Sequence, residues 1–232
     1  MAQEHHLTVQ RTARYYTLGN LTDQTKTIWF CLHGFGQLAQ YFSRKFTDLA
    51  DGQTFVVVPE GLSRMYLDDS YQRIGASWMS REDRDHEIND YVLYLNSLYG
   101  LILNGRDPAQ FQINLLGFSQ GAATACRWLN AGHIRANRLI LWAGYFPNGL
   151  TELIEPTRLG NTEAHYVYGR QDKYIELMPD AEAYLRRLQV DLPTLRLTAF
   201  DGGHRVEPDV LKKLITPHPS PASGVYTPTP MP

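Results

Sequence analysis

Cysteine is scarce in this chain of 232 residues: there are two, Cys31 and Cys126. Two cannot form a disulfide framework, and neither has the short partner spacing of a metal site, so both read as small buried apolar residues. Charge of one sign is missing as well. The 22 basic and 24 acidic residues leave a formal charge of −2, with the basic residues scattered, which gives no field for steering to nucleic acid. Nor is any apolar run close to the roughly 18 residues a membrane-spanning helix needs, so no integral membrane association is expected. The opening Met1-Ala2-Gln3-Glu4-His5-His6 lacks the basic and apolar regions of a secretory signal, and the expected location is cytoplasmic. No two histidines form a helix-spaced pair accompanied by a carboxylate, so no metal is expected, and His5-His6 reads as a solvated terminal pair.

What is present is an alternation of strand-like and helix-like stretches, with 43% hydrophobic residues to fill one large core. An N-terminal strand or hairpin is expected around His6 to Leu18. Helices are expected near Gln37 to Ala50, Asp85 to Leu103, Gln120 to Ala131, Pro179 to Leu188 and Pro208 to Ile215. The pattern predicts an α/β protein built on a doubly wound, mainly parallel sheet, with its site at the C-terminal ends of the strands. Residues 1–215 are read as one domain. From Thr216 to Pro232 six prolines fall among almost no charges, so residues 216–232 read as a disordered extension.

Gly117-Phe118-Ser119-Gln120-Gly121 follows the apolar run Ile113-Asn114-Leu115-Leu116 and precedes a helix-forming stretch. That strand–turn–helix setting suits a nucleophile elbow, in which a strained turn lifts a serine hydroxyl into a site and the flanking glycines let strand and helix pass closely. An elbow of this kind requires an acid and then a histidine further along, each past a strand end. Asp172 follows the strand-like 164–168, and His204 follows 195–200. The predicted catalytic triad is therefore Ser119, Asp172 and His204, with His204 as base and Asp172 fixing its tautomer. Asp201 is the competing acid.

The strand 25–32 ends at His33-Gly34-Phe35-Gly36-Gln37, a loop able to turn a backbone N–H toward the site. Phe35 N–H and Gln120 N–H are the expected oxyanion donors, so side-chain identity at either position carries little information. His33 reads as a scaffold for the loop. The same loop satisfies G-x-G-x-x-A, with Glu60 placed as a ribose-binding acid, so a dinucleotide-binding oxidoreductase using Gly34-Phe35-Gly36 is an alternative. A hydrolase-fold binding protein without activity is another.

His33-Gly34-Phe35-Gly36, Gly117-Phe118-Ser119-Gln120-Gly121, Gly169-Arg170-Gln171-Asp172 and Gly202-Gly203-His204 together resemble the phospholipase/carboxylesterase family of α/β-hydrolases, which includes acyl-protein thioesterases. The sequence departs from that pattern at Gln37, Ala122 and Lys173. The resemblance implies an α/β-hydrolase fold without a separate cap domain, no cofactor, and a carboxylesterase- or phospholipase-like serine hydrolase acting on a small-molecule acyl ester or thioester. Residues 62–84 show no clean period and read as a long loop. Its Trp78, Met65 and Tyr66 are expected to wall the acyl pocket, as the position of a tryptophan in similar hydrolases also suggests. Oligomeric state is left open.

Overall fold

The computed structural model describes residues 1–216, so the Pro-rich segment beyond Thr216 lies outside the described residues. In chain order the strands are β1 (Tyr15–Leu18), β2 (Thr27–Leu32), β3 (Thr54–Pro59), β4 (Ser63–Tyr66), β5 (Ile74–Ser77), β6 (Gln112–Phe118), β7 (Arg138–Trp142), β8 (Glu163–Gly169) and β9 (Arg196–Phe200). The helices are α1 (Ala39–Phe42), α2 (Arg84–Leu103), α3 (Gln120–Ala131), α4 (Lys173–Glu176), α5 (Ala181–Asp191) and α6 (Pro208–Ile215). Among the described residues seven strands make one sheet in the order β1-β3-β2-β6-β7-β8-β9, with only β1 antiparallel to its neighbour.

The central strands β2, β3, β6 and β7 read as near-continuous apolar runs because both faces of the sheet are covered there. In β2, Ile28, Phe30 and Leu32 face the larger core cluster, where Tyr91 and Leu95 of α2, Trp128 of α3 and Leu188 of α5 pack. Trp29 and Cys31 point the other way, onto Phe42 of α1, Phe46 in the following 3₁₀ turn and Leu211 of α6. Both cysteines are free and buried, and burial raises both thiols, that of Cys126 to about 12. Neither is an available thiolate.

The register sets the site. Leu32 lies opposite Gly117 across the β2–β6 pair, so the loop after β2 emerges beside the turn after β6. The chain reverses its strand order between these two strands, and that crevice is where ligands enter open α/β sheets. At the other end Gly169 lies opposite Phe200, which brings the loops after β8 and β9 together.

Several expectations are corrected. The 62–84 segment is no irregular loop: β4 and β5 pair as an antiparallel hairpin, Met65 opposite Gly75. Gly75 is needed there, because a Cβ would strike the backbone of Gly36. The N-terminal strand is only Tyr15–Leu18, and the helix expected over 37–50 is one α turn followed by a 3₁₀ stretch, Ser43–Leu49. No helix among the described residues is long and apolar enough to cross a membrane.

Candidate active site

Ser119 sits between β6 and α3 at φ 53°, ψ −115°, a conformation that costs an L-residue on the order of 1–3 kcal/mol. The neighbours over-determine it. A Cβ at Gly117 would run into the carbonyl of Gly121, and one at Gly121 into the carbonyls of Leu32 and His33. Ser119 N–H donates to the Trp142 carbonyl at 2.8 Å, which pins the turn to β7.

His204 Nε2 lies 2.9 Å from Ser119 Oγ, and His204 Nδ1 lies 2.7 Å from Asp172 Oδ2. The three predicted residues are thus one hydrogen-bonded chain. The Asp172 carboxylate is buried at 1% exposure, and its second oxygen accepts from Tyr174 N–H at 2.9 Å, capping α4. Phe118 and Tyr174 flank the imidazole at 4.9 and 4.8 Å between ring centroids. The competing acid, Asp201, has a side chain 89% exposed beside Arg170 and takes no part.

The loop after β2 has its polar groups assigned. Gly34 N–H donates to Gln37 Oε1 at 2.9 Å, Gln37 N–H to Gly34 O at 3.2 Å, and Gly36 N–H to Ala76 O at 2.8 Å. Among the described residues, Phe35 N–H and Gln120 N–H have no acceptor. Both remain free to donate, Gln120 at the amide end of α3. His33 is a support: Nδ1–H donates to Gly34 O at 2.7 Å while Nε2 accepts from Gly61 N–H at 2.9 Å. Burial lowers its pKa, and the Gly34 carbonyl and Glu60 oppose that only in part.

Glu60 does not present a carboxylate to a ribose. It is buried, with Oε1 accepting from Arg14 Nη2 at 2.7 Å and Arg64 Nε at 2.8 Å, and Oε2 from Ala39 N–H at 3.1 Å. The acid that a dinucleotide fingerprint requires is committed to joining the N-terminal arm, the hairpin and α1.

The three residues expected to wall an acyl pocket differ in exposure. Trp78 is 1% exposed, donates Nε1–H to the His33 carbonyl at 2.8 Å and packs on the His33 ring and Tyr91. Met65 is half-buried on β4, and Tyr66 is exposed with its ring edge-on to Tyr71. A groove of about 610 Å³ opens beside Gly36 and Gln37, walled by Leu38, Phe42, Leu67 and Ile74, with Lys45 and Arg73 among its lining residues. None of the three expected residues borders it.

Sequence reasoning also missed the side chain of Gln120. Its Nε2 donates to Ser77 Oγ and to Met79 O, both at 2.9 Å, and its Oε1 accepts from Trp78 N–H at 3.1 Å. The glutamine that follows the nucleophile therefore fastens the elbow to the exit of β5. A long amide directly after an elbow serine was the signal available.

No family model matches the sequence, and no curated protein matches it. Solved structures do match the fold. Acyl-protein thioesterase 2 from Zea mays superposes with a TM-score of 0.64 at 17% identity, over 88% of this chain and 96% of that one. The esterase PE8 gives 0.56 at 19% identity, covering 88% and 96%. SOBER1 from Arabidopsis thaliana gives 0.59 at 16%, covering 82% and 96%. The chain has the α/β-hydrolase fold.

Proposed function

We propose that this α/β-hydrolase fold is a serine hydrolase that cleaves carboxylic esters or thioesters through an acyl-enzyme on Ser119, with residues 1–215 as its catalytic unit. The observation that carries the reading is the hydrogen-bonded chain from Ser119 Oγ through His204 to the buried Asp172, set on a left-handed elbow. That likeness in fold to an acyl-protein thioesterase and an esterase is in keeping with it.

In this reading Ser119 Oγ attacks the acyl carbon as its proton passes to His204 Nε2. Negative charge forms on the former carbonyl oxygen, where Phe35 N–H and Gln120 N–H stabilise it. Asp172 accepts from Nδ1–H and stabilises the imidazolium. The tetrahedral intermediate collapses, the alkoxide or thiolate leaves with the proton from His204, and the acyl group remains on Ser119. Water then gives a proton to His204 as it attacks the acyl carbon; the second tetrahedral intermediate breaks its bond to Ser119 Oγ, which takes the proton back from His204, and the carboxylic acid departs. The groove beside Gly36 is the space for the apolar part of the substrate, its walls worth roughly 0.8 kcal/mol for each methylene they cover.

A panel of p-nitrophenyl esters of graded chain length and the matching acyl thioesters tests this, with parent and Ser119→Ala compared. The parent should turn over at least one class and label with a fluorophosphonate. Ser119→Ala should fold, yet do neither. Full turnover by Ser119→Ala would overturn the mechanism.

A further inference from the structure

Away from the triad, the N-terminal arm reaches the first turn of α2 and sets His6 against it. The imidazoles of His6 and His86 stack with centroids 4.0 Å apart and planes inclined by 18°. Asp83 joins them: its Oδ1 lies 2.6 Å from His86 Nδ1 and its Oδ2 3.3 Å from His6 Nε2. One donor atom from each residue falls within 4.8 Å of the other two. A second carboxylate, Glu4, comes to 3.2 Å from the same His6 nitrogen.

Asp83 is spent in an unusual way. It holds the N-cap position of α2, where an aspartate ordinarily accepts from an N–H of the first turn, yet its side chain caps nothing. Its backbone is left-handed at φ 52°, a cost on the order of 1 kcal/mol outside glycine. The carboxylate is turned onto the two imidazoles instead.

We propose that His6, Asp83 and His86 form a binding site for a first-row divalent transition cation of the Zn²⁺ type. Two imidazole nitrogens and a carboxylate oxygen are borderline ligands suited to Zn²⁺; an all-oxygen set would be needed to favour Mg²⁺ or Ca²⁺. Zinc bonds of roughly 2.0–2.2 Å place tetrahedral donors a little over 3 Å apart and lie in the plane of each imidazole, so the two rings turn out of their stack, and Asp83 and His86 separate slightly, as the cation replaces the proton they share. Each imidazole then carries its proton on its other ring nitrogen. Asp83 and Glu4 supply two negative charges against the cation's two positive ones, and Glu4 or a water completes the coordination.

The cation ties the N-terminal arm to α2. It is a structural site and takes no part in the acyl chemistry. The turn it closes leads toward the elbow, because Ser80 N–H donates to Glu87 of α2 and the Met79 carbonyl accepts from Gln120.

Calorimetric titration of Zn²⁺ into metal-free, full-length protein tests the site. The parent should bind one equivalent, and His6→Ala and His86→Ala should each weaken binding on the order of tenfold or more. His5→Ala and His133→Ala should match the parent, and Mg²⁺ should not saturate the site. All four histidines are exposed, so these variants should melt with the parent when metal-free. Zn²⁺ should also slow tryptic cleavage at Arg11 several-fold in the parent and not in His86→Ala. Absence of saturable Zn²⁺ binding, unchanged affinity in either His6→Ala or His86→Ala, dependence on His5, or cleavage at Arg11 indifferent to Zn²⁺ would each overturn the proposal.

Discussion

Gln120 and Ser77 are joined by a 2.9 Å hydrogen bond from the amide nitrogen to the hydroxyl, and Ser77 Oγ–H in turn donates to the Met79 carbonyl at 2.8 Å. The residue whose backbone N–H faces the developing charge in the proposed reaction is thus held at its side-chain end as well. Gln120→Ala should lower kcat on the order of tenfold with a smaller change in KM, since the N–H survives but loses its support. It should also cost about 1–2 kcal/mol of stability, because Trp78 N–H loses its acceptor and Ser77 Oγ its donor. Steady-state kinetics and urea unfolding measure the two effects; unchanged kcat would reduce the amide to a packing role.

Asp172→Asn keeps both side-chain contacts in shape and should leave the fold intact. It favours the wrong imidazole tautomer, and kcat should drop on the order of 10⁴, as serine proteases do when their triad aspartate is changed in the same way. Asp201→Asn, at an exposed site beside Arg170, should stay within about twofold of the parent. The reverse ranking in a kinetic comparison would mean that the acid is misassigned.

Burial alone would raise the pKa of Glu60, but hydrogen bonds from Arg64, Arg14 and Ala39 N–H outweigh it and hold the carboxylate below its usual 4.5. Its contribution to stability is therefore complete above the unfolded value near 4.5 and is lost as pH falls through the lower folded one. Glu60→Gln should destabilise on the order of 2 kcal/mol at pH 7 and flatten the acid limb of a melting-temperature profile. Parallel profiles for parent and variant would show that Glu60 carries no such linkage.

The groove and Trp78 should separate under mutation. Ile74→Trp, at the groove wall, should lower kcat/KM for long-chain esters while sparing acetate esters. Trp78→Ala should act through stability, losing about 3–5 kcal/mol for a fully buried ring, because Trp78 does not border the groove. A chain-length shift in Trp78→Ala at full stability, with none in Ile74→Trp, would move the acyl pocket to the tryptophan.

The local part of the fold and site could be read from sequence. Ser119 was legible because the elbow is written in consecutive residues, and its two glycines answer to close approaches that the structure contains. Asp172 and His204 followed from the ends of two strand-like stretches, 164–168 and the alternating 195–200. What stayed hidden depended on partners distant in the chain. The β4–β5 hairpin pairs across residues 67–73, and Gly75 breaks the apolar alternation that would announce it. The burial of Trp78 depends on the His33 carbonyl, and His6 shows nothing in sequence of its place beside Asp83 and His86. Gln37 reads in sequence as the start of a helix and as a departure from a family pattern, yet its side chain closes the loop turn through Gly34 N–H.

The left-handed backbone of Ser119 has a further consequence for how the protein can change. Glycine tolerates φ 53°, ψ −115° more readily than any residue with a Cβ, so the position that bears the nucleophile is also one where the fold gains by losing it. A library randomised at this position and selected for heat resistance alone would be drawn away from serine, and only a screen for turnover would draw it back.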